Sequence, residues 1–311
     1  MRLVSGRYTN GMEAELIHWL RDNVPRFGKA DISIGDDAAV LPVINSRTAI
    51  TTDTLMDGVH FLATELSLED IGYKAMAVNV SDLAAMAAEP VAAVVSLTIP
   101  RSMQLAEIQQ LYEGMFKISR RFQIEIVGGD TNRWAGPLTI AITVFGKERG
   151  TSFWTRSDAK AGDIILVTGP LGGSLLRRHF SFLPRVDEAA YLQDNYNVHA
   201  ATDITDGLAR DLANIIEASQ CGAVLDCDCI PVSNDARELA KSSGRTPLDH
   251  AMNDGEDFEL LFTTSAEESK RMLVDPKLDV VVIGRCTDDR QLRQRDGNGI
   301  EQVLERGGYQ H

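Results

Sequence analysis

The pattern of hydrophobic positions divides the first half of the chain into short helices and strands. Residues 12–24 have Ile17, Leu20 and Val24 at helical spacing, which predicts an amphipathic helix with these three side chains on its buried face. The runs rich in Val, Ile and Thr are typical of strands. Further helices are predicted at 68–88 and 102–122, and strands at 47–53, 91–99, 124–127 and 138–146.

The second half repeats this mixture after a polar segment, 147–162, that predicts a domain boundary. We therefore expect one domain at 1–148 and a second at 149–311. Asp206 is a suitable N-cap for a helix at 207–220. Another helix is predicted at 234–243, and strands at DIILVTG and near 223–227, 258–263 and 279–284. Both halves mix strands with helices, so the predicted fold class is α/β.

The helix predicted at 68–88 is apolar on nearly every side, so it should be buried. Its polar residues are therefore informative. Asn79 and Asp82 lie three positions apart and share a face. A buried carboxylate must be paired or bind a cation, so Asp82 is either part of a core salt bridge or helix cap, or a metal ligand.

Acidic and hydroxyl residues gather where predicted strands end in the first third of the chain. One segment leads into Gly35-Asp36-Asp37, and the next contains Thr51, Thr52 and Asp53, with His60 seven residues later. Hard oxygen donors of this kind suit Mg²⁺, which binds a few carboxylates together with substrate phosphates. Ordinary Asp-Gly turns are the alternative explanation, and this stretch by itself does not decide between them.

Similar loops recur further along the chain. The strand at 124–127 is predicted to end in a Gly-Gly-Asp-Thr loop carrying Gly129 and Asp130, where glycines let a phosphate approach the backbone closely. A Gly-rich hairpin explains these glycines as well, but not the Asp-Thr pair. Asp203 and Thr205 lie beside the N-cap candidate, and a loop containing Glu256 precedes the strand at 258–263.

Composition and charge narrow the classes of function. A chain of 311 residues with 44% hydrophobic and 24% charged residues is ordinary for a globular protein of two domains. The net charge of −14 argues against a nucleic-acid partner, because phosphate backbones attract basic surfaces. We expect no transmembrane helix and no secretory signal. The four cysteines fit neither a zinc nor a CxxC spacing, which favours reduced thiols in a cytoplasmic protein.

The ordered motifs GDDAAV, TTDTLMDGVHF, AVNVSDLAAMAAEP, VGGDT, TRSDAKAGD, TDITDGLARDL and DGEDFELLFT extend over nearly the whole chain. Together they resemble the thiamine-monophosphate kinase family, which belongs to the superfamily of aminoimidazole ribonucleotide synthetase. The resemblance implies ATP-dependent phosphorylation of thiamine monophosphate to thiamine diphosphate with several Mg²⁺ ions. It also implies an N-terminal mixed sheet with helices that forms a barrel across a homodimer, and a C-terminal α/β sandwich.

The resemblance also implies roles for individual residues. The implied metal ligands are Asp37, Thr51, Thr52, Asp53, Asp82, Asp130, Asp203 and Asp206. The implied ATP contacts are Tyr112, Gly129, Asp130, Arg156 and Thr205. The implied thiamine phosphate contacts are His60, Glu256 and Tyr309. The family has an aromatic residue against the thiamine at the position of Arg306, and Tyr309 is the nearby aromatic side chain in this chain.

The implied reaction needs no enzyme nucleophile or general base. The acceptor is a phosphate oxygen that is already largely ionised near neutral pH, since the second pKa of a phosphate monoester is about 6. Direct in-line transfer is therefore expected. Two alternatives remain open: another ATP-using enzyme of the same superfamily, or a non-catalytic nucleotide-binding protein. One such relative, selenophosphate synthetase, usually carries a reactive Cys near its N-terminus, whereas the earliest here is Cys221.

Overall fold

The structure of the protein is a computed structural model that describes residues 10–31, 33–34, 39, 41–42, 46–150, 152–304 and 307–308. The chain divides into two compact units that each combine separate stretches of sequence. The first unit consists of Met1–Ser46, Ile50–Asn79 and Pro90–Phe145. The second consists of Arg47–Ala49, Val80–Glu89 and Gly146–His311.

The first half of the chain forms helices packed with a four-stranded sheet whose strand order is β1-β4-β2-β3. Its elements are α1 (Asn10–Asn23), β1 (Thr48–Met56), α2 (Leu68–Ala85), β2 (Ala88–Pro100), α3 (Leu105–Phe122), β3 (Glu125–Trp134) and β4 (Thr139–Glu148). Every helix and strand predicted for this half is present, which confirms the hydrophobic periodicity.

Helix α3 follows the predicted pattern closely. Ile108 and Met115 are fully buried on one face of the helix. Its first turn has a capping box between Gln104 and Glu107, which satisfies backbone N–H groups that the helix leaves without partners. In α1 the prediction was partly wrong: Leu20 and Val24 are buried, but Ile17 is 37% exposed.

Strand β3 is longer than the sequence predicted. The prediction ended the strand at residue 127, but the strand continues through the Gly-Gly-Asp-Thr stretch to Trp134. The reason is the parallel neighbour β2, which runs on to Pro100 and pairs residue by residue with β3 beyond a register shift at Ala93/Val94. Because pairing partners far away in sequence supply the hydrogen bonds, local glycine content does not end the strand.

The second half of the chain forms a seven-stranded sheet with the order β11-β10-β7-β9-β5-β8-β6. Its elements are β5 (Ile164–Val167), α4 (Val186–Asn195), β6 (Val198–Asp203), α5 (Leu208–Ser219), β7 (Gly222–Asp226), α6 (Asn234–Ser243), α7 (Pro247–Asn253), β8 (Leu260–Thr264), α8 (Ala266–Met272), β9 (Val281–Thr287), β10 (Leu292–Arg295) and β11 (Glu301–Val303). The predicted helices and strands are present, and β6, α4, α7, α8, β10 and β11 were not predicted.

Side chains on the two faces of this sheet enter two separate cores. Ile165 and Val167 of β5 pack with Leu212 of α5, whereas Leu166 between them packs with Leu192 of α4. This alternation is what a strand with period two requires when both faces are covered. The sheet is therefore buried on both sides at its centre, which explains why DIILVTG reads as a continuous apolar run.

Three further observations bear on the sequence predictions. The N-cap of α5 is Gly207 and not Asp206, and no side chain caps this helix, so that prediction was wrong. The four cysteines are all free thiols, as expected. Among the residues that the structure describes, no helix is long and apolar enough to cross a membrane.

Candidate functional site

In the first unit, Asp53 is held on β1 by a buried amide from α2. The backbone N–H of Asp53 donates to Oδ1 of Asn79 (3.0 Å), and the Asn79 amide in turn donates to the carbonyl of Ala75 (3.1 Å). Asn79 is completely buried, so its contacts are well screened from water. Beside it, the hydroxyl of Thr52 donates to the carbonyl of Ile142 (3.1 Å). Asn79 therefore serves to position β1, a role that the shared-face argument did not identify.

His60 follows β1 in a tight turn. The backbone N–H of Met56 donates to Nδ1 of His60 (3.1 Å), which makes Nδ1 the acceptor and leaves the ring proton on Nε2 in the neutral imidazole. The buried ammonium group of Lys74 donates to the backbone carbonyl of His60 (3.1 Å). Asp57 accepts the N–H of Ala63 (2.9 Å) and so closes the turn, as expected of a turn residue.

Strand β3 carries Gly129 and Asp130 side by side. A Cβ atom on Gly129 would lie 1.9 Å from the carbonyl oxygen of Val95, so only glycine fits against β2 at this point. Asp130 is exposed, and its Oδ2 accepts a hydrogen bond from the side chain of Asn132 (2.6 Å). The glycine thus permits close strand pairing, and the carboxylate beside it is open to a ligand.

Tyr112 lies in the aromatic core of the first unit. Its ring is 3% exposed, and its centroid is 6.3 Å from that of Trp19 and 5.9 Å from that of Phe116. Burial raises the pKa of its phenol far above the usual value. A contact of Tyr112 with ATP remains a prediction that the burial of this ring does not favour.

In the second unit, Asp82 and Asp203 form a pair of carboxylates. Asp203 ends β6, is 3% exposed, and accepts a short hydrogen bond from the hydroxyl of Ser81 (2.5 Å). Burial, followed by the negative charge of Asp82, raises the pKa of Asp203 to about 8. Two neighbouring carboxylates, one of them buried, repel each other, and a bound cation relieves such repulsion.

The loop between β6 and α5 is shaped by a third buried carboxylate, that of Asp211. Its Oδ2 accepts the backbone N–H groups of both Thr205 (2.9 Å) and Asp206 (3.0 Å). Burial raises the pKa of Asp211 to about 7. Asp211 therefore fixes the backbone of the loop before α5, including that of Asp206.

Arg156 lies near the start of the second unit and is exposed. Its Nε donates to the hydroxyl of Thr202 (3.2 Å), and its carbonyl accepts the hydroxyl of Ser219 (2.7 Å). Thr202 directly precedes Asp203 on β6. The guanidinium is therefore anchored next to the acidic end of that strand, where it is accessible to an anion.

Glu256 lies in an unusual backbone conformation before β8. Glu256 and Phe258 both have left-handed backbone angles, with φ of 51° and 52°. Such angles are rare for residues other than glycine and are unfavourable by about 1 kcal/mol each. Oε2 of Glu256 lies 2.8 Å from Nδ1 of His179, which is buried. This segment is therefore held by its surroundings and not by its own preferences.

The predicted ligands do not all fall within the described residues. Asp37, Arg306 and Tyr309 lie outside them. Among the described residues, no group of three or more His, Cys, Asp or Glu side chains is close enough to hold a metal ion. The donor chemistry nevertheless fits a hard divalent cation such as Mg²⁺, because Asp82 and Asp203 offer carboxylate oxygens close to one another.

Sequence reasoning missed several residues that shape the site. Ser81, Asn79, Asp211 and His179 each bind a predicted site residue or its backbone. Asp211 follows Asp206 by five positions within the TDITDGLARDL motif, so the sequence alone shows a third carboxylate there. Nothing in the local sequence relates His179 to Glu256, 77 residues away.

Comparisons with known proteins identify the family. The family model for the AIR synthase related protein N-terminal domain matches residues 35–147, and that for the C-terminal domain matches residues 160–296. Thiamine-monophosphate kinase of Rhodopirellula baltica is 43% identical over 83% of this chain and 84% of its own. The crystal structure of thiamine-monophosphate kinase from Stenotrophomonas maltophilia has a TM-score of 0.79 and 32% identity, covering 92% of this chain and 96% of its own.

A further solved structure, "AaThiL complexed with AMPPCP and TMP", has a TM-score of 0.77 and 28% identity, covering 100% of this chain and 99% of its own. The likeness thus extends over both units, in sequence as well as in fold. This protein belongs to the thiamine-monophosphate kinase family of the AIR synthase related proteins.

Proposed function

We propose that this protein transfers the γ-phosphoryl group of ATP to the phosphate of thiamine monophosphate, which yields thiamine diphosphate. The observation that carries this proposal is the 43% identity to a thiamine-monophosphate kinase over most of both chains. The relative described with AMPPCP, an ATP analogue, and TMP supports the pair of substrates. The acidic and hydroxyl residues described above match the chemistry that two phosphate-bearing substrates require.

The nucleotide contacts argued for in this proposal are Arg156, Thr205, Gly129 and Asp130. Arg156 is exposed and anchored through Thr202, so it can pair with a phosphate oxygen. The Thr205 hydroxyl belongs to the loop that Asp211 holds in place. On β3, Gly129 allows close approach of the backbone, and Asp130 lies next to it.

The carboxylates and hydroxyls serve as Mg²⁺ ligands in this proposal. Bound Mg²⁺ would neutralise part of the phosphate charge. Without it, two unit negative charges 4 Å apart repel each other by about 4 kcal/mol at an effective dielectric of 20. Asp82 and Asp203 support the assignment most directly, because burial, followed by the charge of Asp82, raises the pKa of Asp203, and a bound cation would favour its ionised form. The other proposed ligands are Asp37, Thr51, Thr52, Asp53, Asp130 and Asp206.

The acceptor substrate is bound by His60 and Glu256, with Tyr309 as a third proposed contact. The His60 ring is held in the turn after β1, where its Nδ1 accepts the backbone N–H of Met56, and it is the proposed contact to the acceptor phosphate. The Glu256 carboxylate is 26% exposed and can pair with the cationic thiamine. Catalysis then consists of alignment and charge stabilisation, without a covalent enzyme intermediate.

An activity measurement tests the proposal. The purified protein, incubated with thiamine monophosphate, ATP and Mg²⁺, should form thiamine diphosphate and ADP in equal amounts. Asp53→Asn and Asp130→Asn should each nearly abolish turnover, whereas Asp22→Asn, which removes an exposed carboxylate of α1, should not change it. Normal turnover of Asp53→Asn or Asp130→Asn at saturating Mg²⁺ would contradict that variant's ligand assignment. Binding of ATP without any diphosphate product would favour a non-catalytic nucleotide-binding protein.

We also propose that the protein forms a homodimer through the sheet of its first half. Strand β1 lies at one edge of that sheet, and Ile50 on it is 64% exposed. Exposed edge strands with apolar side chains are natural sites for pairing between chains. Sedimentation equilibrium should give twice the mass of the chain, and Ile50→Lys should shift the protein toward the monomer.

A further inference from the structure

The segment 178–185, which leads into α4, binds the acidic segment 256–259 that precedes β8. Both segments belong to the second unit. Arg178 donates to Asp257 (2.6 Å), and the ring of Phe182 stacks on Phe258 at a centroid distance of 3.9 Å and an angle of 11°. Glu256 and Glu259 are paired with the same earlier segment, as described next. All four residues of the acidic segment therefore have partners that lie more than 70 positions earlier in the chain.

One of these further pairs is a bidentate ion pair. Nε and Nη2 of Arg185 donate to the two carboxylate oxygens of Glu259 at 2.7 and 2.8 Å, and the hydroxyl of Thr168 donates to the same carboxylate at 2.7 Å. Glu259 is 3% exposed, so this arrangement is rigid and screened from solvent. Arg185 and Glu259 thus anchor the end of the acidic segment.

The remaining pair joins His179 to Glu256. Nδ1 of His179 lies 2.8 Å from Oε2 of Glu256, and the His179 side chain is 7% exposed against 26% for Glu256. The backbone N–H of Glu256 also donates to the carbonyl of Thr205 (2.7 Å). The histidine is therefore buried behind a carboxylate whose other side reaches the solvent.

We propose that His179 is a positioning residue that orients the Glu256 carboxylate toward the cationic part of the acceptor substrate. This inference rests on the proposed function, in which Glu256 binds thiamine monophosphate. A carboxylate on an isolated left-handed residue would sample several rotamers, and the fixed Nδ1–H donor selects one of them.

His179 does not act on the nucleotide in this proposal. Loss of the His179–Glu256 hydrogen bond should therefore weaken binding of the acceptor substrate and leave binding of ATP unchanged. A purely structural role would instead lower stability, and would change both KM values or neither. The separation of the two KM values distinguishes positioning from structural support.

The test compares three substitutions of His179 that differ in where a donor lies. His179→Asn carries an amide nitrogen close to the position of Nδ1, His179→Gln carries it near the position of Nε2, and His179→Leu has none. KM for thiamine monophosphate should rise about 10-fold to 100-fold in the Leu and Gln variants, the range expected for a lost hydrogen bond to a charged group. It should stay within about threefold of the wild type in the Asn variant, with KM for ATP unchanged in all three.

A matched control is available in the same unit. His199 pairs through Nδ1 with Asp163 at 2.8 Å and is also largely buried, but it does not contact the acidic segment. His199→Leu should leave KM for thiamine monophosphate at the wild-type value. An equal rise in KM in His199→Leu would assign the effect to general loss of packing and would overturn the proposal.

Coupling to Glu256 completes the test. Glu256→Gln should raise KM for thiamine monophosphate. Adding His179→Leu to Glu256→Gln should raise this KM little further, because both substitutions disrupt the same interaction between Glu256 and the substrate. Independent, multiplying effects would overturn the proposal, as would a wild-type KM in His179→Leu. Calorimetric binding of thiamine monophosphate without ATP repeats the comparison if a variant turns over too slowly. Absence of product from the wild type would instead contradict the proposed function itself, before any variant is compared.

Discussion

Replacing Asp203 by Asn should stabilise the metal-free protein at alkaline pH and weaken its response to Mg²⁺. Asp203 is 3% exposed, lies beside the Asp82 carboxylate and accepts the Ser81 hydroxyl. The asparagine has nearly the same shape and keeps an oxygen that can accept this hydroxyl. It removes the charge that burial and Asp82 make unfavourable. The substitution therefore changes the electrostatic contribution to stability with little change in packing.

The magnitude follows from the difference between the folded and unfolded pKa values of this one carboxyl. The unfolded value is about 3.9, and burial together with Asp82 raises the folded value to about 8. Because the folded pKa is the higher one, the folded state binds the proton more tightly, and the free energy of unfolding falls as pH rises from about 4 to 8. At about 1.36 kcal/mol per unit, the charge of Asp203 costs at most about 4 kcal/mol between pH 5 and pH 8.

Urea unfolding in EDTA at pH 5 and pH 8 measures this difference. The free energy of unfolding of Asp203→Asn minus that of the wild type should be larger at pH 8 than at pH 5, by up to about 4 kcal/mol, because only the wild type loses stability as this carboxyl ionises. Asp288→Asn, which removes an exposed carboxylate of the same unit, should show no such change. At pH 8, Mg²⁺ should raise the melting temperature of the wild type more than that of Asp203→Asn. An Asn variant whose relative stability is the same at both pH values would refute the reasoning.

Two further substitutions test the surroundings of the site. Asp211→Leu should lower kcat/KM for ATP about tenfold or more, because the backbone N–H groups of Thr205 and Asp206 lose their common acceptor. Asp211→Asn keeps an acceptor oxygen and should retain most of the activity in the same steady-state assay. Gly129→Ala should destabilise the protein by about 1–3 kcal/mol, because the new Cβ meets the carbonyl oxygen of Val95. Gly128→Ala is the control, since its Cβ would meet only a side-chain carbon of Val94 at 3.8 Å, and equal melting temperatures for the two variants would contradict the steric explanation.

The candidate site was predictable where its residues stand in local motifs. Thr52 and Asp53, Gly129 and Asp130, and the pair Asp203 and Asp206 are close together in sequence, and their chemistry can be recognised without a structure. Their supports were not predictable. Asn79, 26 residues from Asp53, and Ser81, 122 residues from Asp203, find their partners only through packing. An amide or a hydroxyl has many possible partners, and only the fold selects one.

The same division holds for the fold. Hydrophobic periodicity by itself determined the helices α2, α3 and α5 and the strands β2, β4 and β5, because their patterns depend on burial of one face or of both. The continuation of β3 through two glycines was decided by pairing with β2. The backbone of the loop before α5 was decided by Asp211, five residues beyond Asp206, which accepts the N–H groups of Thr205 and Asp206.

The segment before β8 separates the two kinds of information most clearly. The sequence alone determined that Asp254-Gly255-Glu256-Asp257 is an acidic stretch and that it leads into a buried strand. Only the tertiary structure decided that Glu256 adopts a left-handed backbone with its carboxylate against His179. An unfavourable local conformation cannot be inferred from local preference, since the contacts that compensate for it come from a distant segment of the chain.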